Sequence, residues 1–155
     1  MIQKLQSLLT QLESQISEQD TVNTEVSQAN VGWHIEHSLL TIERIIYALS
    51  KSNPADYRWS FRLPRYIIFT TGKIPRGKAK APSIVQPAGP ISTESLLQQI
   101  EHAKQTIQKL ESLTSGNFFP HPYFGNLKLK KAIQCLEIHT KHHLDIIRDI
   151  CKEQD

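Results

Sequence analysis

A chain of 155 residues, 39% apolar and 21% charged, has the size of one ordinary domain and enough apolar matter for a core without staples. This composition excludes a disordered chain, and two cysteines sixteen residues apart, Cys135 and Cys151, exclude a disulfide framework. No run approaches the roughly 20 apolar residues of a spanning helix, and Met1-Ile2-Gln3-Lys4 opens no signal-type stretch. The expectation is therefore one domain, residues 1–155, cytoplasmic and with no membrane partner.

The chain opens with a predicted helix over about Ile2 to Gln19, where Ile2, Leu5, Leu9, Leu12 and Ile16 draw one apolar stripe. A polar connection follows, in which Ser27 or Asn30 could cap the next helix. That helix runs over about Ala29 to Ser50. Its main stripe is Val31, Ile35, Leu39, Ile42, Ile46 and Leu49, with a second apolar line of Trp33, Leu40 and Tyr47. Residues 51–92 carry six prolines and break the pattern, and Arg65 to Thr71 is ambiguous between a short helix and a strand. The third helix starts at Ser92 or Thr93, follows Leu96, Ile100, Ala103, Ile107 and Leu110, and ends at Ser115-Gly116-Asn117. A rigid aromatic loop, Phe118 to Gly125, leads to the fourth helix, Leu127 to Lys152. Four long amphipathic helices without a confident strand predict an all-α four-helix bundle, with a long crossover between helices 2 and 3.

Charge is uneven along this order. The net charge is +3, but residues 51–80 hold eight basic residues against Asp56 alone, a local +7. The arginines and lysines of 58–80 alternate with Trp59, Phe61, Tyr66 and Phe69, and Tyr57 precedes them. Three readings follow. The aromatics dock on the bundle while the charges face water, or the segment is a lid for an anionic ligand, or it binds single-stranded nucleic acid. The small total charge argues against nucleic acid.

Five of the seven histidines fall in two short motifs, Trp33-His34-Ile35-Glu36-His37 and His139-Thr140-Lys141-His142-His143. His139 and His143 stand four apart, on the stripe of Leu129, Ala132, Leu136, Thr140, Ile147 and Ile150, so both are expected to point inward; His142 lies off that stripe. Two inward imidazoles one turn apart form half of a transition-metal site. The third ligand should come from the first motif. Periodicity there slightly favours His34, at the edge of the main stripe, over His37 on the Trp33 side. The competing reading is a set of core histidines, each satisfied by a hydrogen bond.

Trp33-His34-Ile35-Glu36-His37-Ser38-Leu39-Leu40 resembles the helix-two metal motif of the DinB-like superfamily, and His139-Thr140-Lys141-His142-His143-Leu144 resembles its helix-four H-x3-H motif. His121-Pro122-Tyr123-Phe124-Gly125-Asn126-Leu127 and the stretch Gly72 to Pro82 are similar to elements of one uncharacterised branch of that superfamily. The resemblance implies a DinB-like four-helix bundle with a divalent transition metal (zinc, nickel or iron) on His37, His139 and His143. It also implies a thiol or other small-molecule substrate, a thiol-dependent transferase or hydrolase activity, and a homodimer as the common assembly. The motif selects His37, with His34 as the alternative ligand.

Such an ion keeps its positive charge and an open position. A hydrolase would also want a proton acceptor, but Glu36, Glu43, Glu137 and Asp145 lie off the ligand face, so no general base is assigned. Cys135 reads as a small core residue, His121 as structural and His102 as solvated. The alternative function is a non-catalytic metal-braced module whose basic segment 58–80 contacts an anionic ligand or nucleic acid.

Overall fold

The structure is a computed structural model and describes residues 2–77 and 82–152, so Lys78 and Lys80 of the basic run lie outside the described residues. It contains five α-helices: α1 (Ile2–Glu13), α2 (Val31–Lys51), α3 (Leu63–Thr71), α4 (Thr93–Gln108) and α5 (Leu129–Ile150). Between α4 and α5, β1 (Phe118–His121) and β2 (Gly125–Lys128) pair as an antiparallel hairpin. No described helix is long and apolar enough to cross a membrane.

The four long helices meet as their stripes require. α2 lies against both α4 and α5, and α1 closes the opposite side against the same two. Leu5, Leu9, Leu12, Ile35, Leu39, Ile42, Leu49, Leu96, Ile100, Ile107, Leu136 and Ile147 are wholly enclosed between them. Local chemistry fixes the ends. Asn30, not Ser27, caps α2, its Oδ1 accepting the Trp33 N–H at 2.8 Å. Ser92 and Ser95 form a reciprocal capping box at α4. The first helix is shorter than expected, with a separate 3-10 turn at Ile16–Glu18, and α4 likewise passes into a 3-10 turn at Lys109–Ser112.

The expected all-α four-helix bundle is corrected in two places, and the architecture is mixed. The ambiguous 65–71 stretch is a fifth helix. Pro64 supplies a φ suited to its first turn, and Gly72 closes it at φ +65, donating its N–H to Ile68 O. The aromatic loop is a hairpin, with Phe119 opposite Leu127 and Pro120 opposite Asn126. Pro120 is tolerated because a two-stranded ladder leaves one side of each strand unpaired. Four-residue strands are too short to reveal alternation, which is why a period search passes over them. Asn117 ties the hairpin to the bundle by donating to Leu49 O at 3.0 Å and accepting the Thr114 N–H at 2.9 Å.

At the hairpin tip, His121 Nδ1 accepts the N–H groups of Tyr123 and Phe124, and its ring stacks on Phe124 at 4.0 Å. Gly125 turns the chain at φ +68, a conformation that costs an L-residue about 1–2 kcal/mol. A Cβ there would also come within 2.5 Å of Ser60 Oγ. Gly125→Ala should therefore lower the melting temperature by several degrees, roughly 4–8 °C per kcal/mol for small domains and less for larger ones. An unchanged melting curve would show that the hairpin tip relaxes freely.

Candidate metal centre

Two helices deliver the histidines. α2 presents His34 and His37, both buried, and α5 presents His143, buried, and His139, part-buried. One nitrogen from each of His37, His139 and His143 lies within 4.8 Å of the others, close enough for the three to hold one metal ion. His37 Nε2 and His139 Nε2 face each other at 3.2 Å. Two nitrogens each about 2.05 Å from a tetrahedral ion lie about 3.3 Å apart, so this spacing suits a shared ion.

The tautomers can be worked out from the partners. Val85 O can only accept, so His37 Nδ1, 2.7 Å away, carries the proton and donates. His37 Nε2 is therefore a lone pair aimed at His139. The Trp33 ring stacks on His37 at 4.9 Å and 14°, which holds its plane. His143 Nδ1 lies 2.9 Å from His34 Nδ1, and His34 Nε2 lies 2.9 Å from Ser27 Oγ. For His143 to offer Nε2 to an ion, its Nδ1–H must donate to His34 Nδ1. His34 then carries its proton on Nε2 and donates to Ser27. The reverse chain, Ser27 Oγ–H to His34 Nε2 and His34 Nδ1–H to His143 Nδ1, satisfies the same bonds but puts the remaining proton on His143 Nε2, so only the first direction leaves that nitrogen free for an ion.

His139 Nδ1 is buried with no protein partner among the described residues. An ion held on His139 Nε2 would leave this nitrogen unpaired as well, so the fit to a metal rests on the Nε2 spacing and on the donor set. The donor set also fits. Three imidazoles suit a borderline divalent transition ion and not calcium or magnesium.

Burial and mutual repulsion keep these rings neutral. His34 is pushed down to about 4, chiefly by burial and then by the charge His37 would carry. Burial also holds His139 and His143 well below the usual imidazole value, with the neighbouring histidines adding to it. His37 is lowered by burial, partly offset by Val85 O. Arg76, bonded to Asp149 at 2.8 Å, is near enough for its charge to lower His34 and His142 further.

The other candidates are placed elsewhere. Glu36 accepts from Gln99, Glu43 meets His102, Glu137 pairs with Lys4, and Asp145 pairs with Lys141 and Arg148. Cys135 is a core residue whose thiol burial pushes up to about 12, the opposite of a reactive thiolate. His142 touches His143 edge-on from outside the trio. Sequence reasoning missed Ser27 as a partner of His34, and it missed Val85. A backbone carbonyl reached from 48 residues away leaves no mark in side-chain identity. Compared with models of known protein families, with curated proteins and with solved structures, the chain gives no match.

Proposed function

We propose that this chain is a DinB-like, metal-dependent protein that binds one divalent transition ion (zinc, nickel or iron) through His37, His139 and His143 and acts as a thiol-dependent transferase on a small molecule. The observation that supports it most is the facing pair of His37 and His139 nitrogens, 3.2 Å apart, with the His37 tautomer fixed by Val85. An ion bound there supplies a Lewis-acidic positive charge able to lower the pKa of a ligand thiol.

The chain's own residues favour thiol transfer over hydrolysis. Hydrolysis wants a proton acceptor within reach, and the four nearby carboxylates are committed to other partners. A thiolate is already a nucleophile and needs no such base. Arg76 of the crossover, ion-paired with Asp149 of α5, could exchange that partner for an anionic group of the same small molecule.

A non-catalytic, metal-braced module is the second reading. It is favoured by one observation: a cavity of about 620 Å³ beside α5 is lined by Ile138 and Lys141 but by none of the three histidines. One experiment separates the two readings. Cobalt-loaded protein titrated with a small thiol should develop a thiolate charge-transfer band in the near ultraviolet, and His139→Ala should abolish it. A cobalt spectrum unmoved by thiol, in protein whose melting temperature falls on chelation, would leave the metal only a bracing role.

A further inference from the structure

Five of the ten large apolar side chains exposed among the described residues fall within nine consecutive positions, Trp59, Phe61, Leu63, Tyr66 and Ile67. Of the three readings of this segment, inward docking therefore holds for only part of its aromatics. Tyr57 and Phe69 do dock, against Phe118 and Phe124. Trp59, Phe61 and Tyr66 are each about two-thirds exposed, at 67%, 66% and 65%. The arrangement on α3 is regular. Ile68 and Phe69 turn inward, while Leu63, Tyr66, Ile67 and Thr70, at helical spacing, form an outward stripe.

Arg58, Arg62 and Arg65 interleave with these side chains. None of the three forms an ion pair among the described residues. Arg58 is spent on the carbonyls of Ala55 and Tyr57, and Arg65 reaches only Asn126 O. At its end the stripe meets more positive charge. Thr70 also lines the cavity of about 620 Å³, whose wall carries Lys4, Lys73, Lys130 and Lys141; Lys4 is paired with Glu137 of the same wall and Lys141 with Asp145, which leaves Lys73 and Lys130 without an ion pair among the described residues.

Residues 58–67 therefore expose apolar side chains interleaved with cationic ones. A second copy of the chain would bring like charges together. A nucleic-acid strand would use the aromatic rings but gains no stacking from Leu63 or Ile67. An anionic lipid surface answers every part: headgroups pair with the arginines and lysines, tryptophan and tyrosine suit the interface, and the aliphatic side chains enter the acyl boundary. We propose that the Arg58–Ile67 face, with the lysines at the end of α3, docks the protein reversibly on an anionic membrane surface. Such docking needs no spanning helix.

The test is co-sedimentation of the full chain with vesicles of phosphatidylcholine containing about 30% phosphatidylserine, against vesicles of phosphatidylcholine alone. Binding should be roughly tenfold or more stronger to the anionic vesicles, and should weaken as salt rises from about 0.1 M towards 1 M. Tryptophan emission should shift to the blue on binding, and the shift should vanish in Trp59→Phe. Arg58→Glu with Arg62→Glu, and separately Trp59→Ser with Ile67→Ser, should each abolish sedimentation while circular dichroism and metal content stay as in the parent. These positions are surface-exposed, so the fold does not depend on them. Equal binding to neutral vesicles, or none to anionic ones, overturns the proposal. So does capture of oligothymidylate, or self-association, that the same variants remove in the absence of vesicle binding.

Discussion

His139→Ala and His143→Ala should each leave purified protein with less than about a tenth of the metal of the parent chain. Loss of an outer hydrogen-bond partner typically lowers metal affinity about 10–100-fold, and loss of a ligand itself should cost more. His37→Ala belongs with them, since its Nε2 faces His139 while its Nδ1 is already committed to Val85. His142→Ala should retain metal, because that ring lies outside the converging trio. His34→Ala is the informative intermediate case. It removes the acceptor of the His143 Nδ1–H and should weaken affinity by about 10–100-fold without emptying the site. Ser27→Ala should act in the same direction and more weakly, one bond further out. Elemental analysis and competition with a chromogenic chelator measure all six variants. If His34→Ala empties the site while His37→Ala leaves it full, the ligand from α2 is His34 and the tautomer argument fails.

Acidification should unfold the metal-free protein over a defined window. An imidazole whose folded pKa lies below its unfolded value of about 6.5 is stabilising in its neutral form. That stability is whole above about pH 6.5 and drains as the pH falls to the folded pKa, because in between the unfolded chain binds the extra proton. For His34, lowered to about 4, the share at stake is about 3 kcal/mol. His121, also lowered to about 4 by burial, adds a second share from the hairpin tip. Thermal melts of chelated protein should therefore fall steeply between about pH 6.5 and 4. The same depression sets the metal's pH profile. Protons compete for the trio only below the lowered values, so affinity should hold through about pH 6.5 and fall at lower pH. Release of metal centred at or above pH 6.5 would show that the rings are not shielded as the packing implies.

Much of this was legible in the residues, and the reason is that helices repeat. The stripes through Leu5 and Leu9, Ile35 and Leu39, Leu96 and Ile100 named the buried faces, which the structure encloses completely. The four-residue spacing of His139 and His143 placed two imidazoles on one face of α5. What was illegible was short or distant. α3 spans nine residues and each hairpin strand four, lengths over which periodicity cannot separate helix, strand and loop. The outward turn of Trp59, Phe61 and Tyr66 was likewise open in the sequence, since composition does not say which way a loop aromatic turns.

By itself the sequence determined that His139 and His143 would face the helix interfaces, because position along a 3.6-residue repeat decides direction; on α2 the same repeat slightly favoured His34, whereas the structure brings His37 to the pair. Which ring nitrogen faces which neighbour was decided only in three dimensions. His37 is oriented by a carbonyl 48 residues away and His34 by Ser27 on the preceding connection. An imidazole has two chemically alike nitrogens, and only partners that folding brings from elsewhere in the chain can make one a donor and leave the other free for an ion.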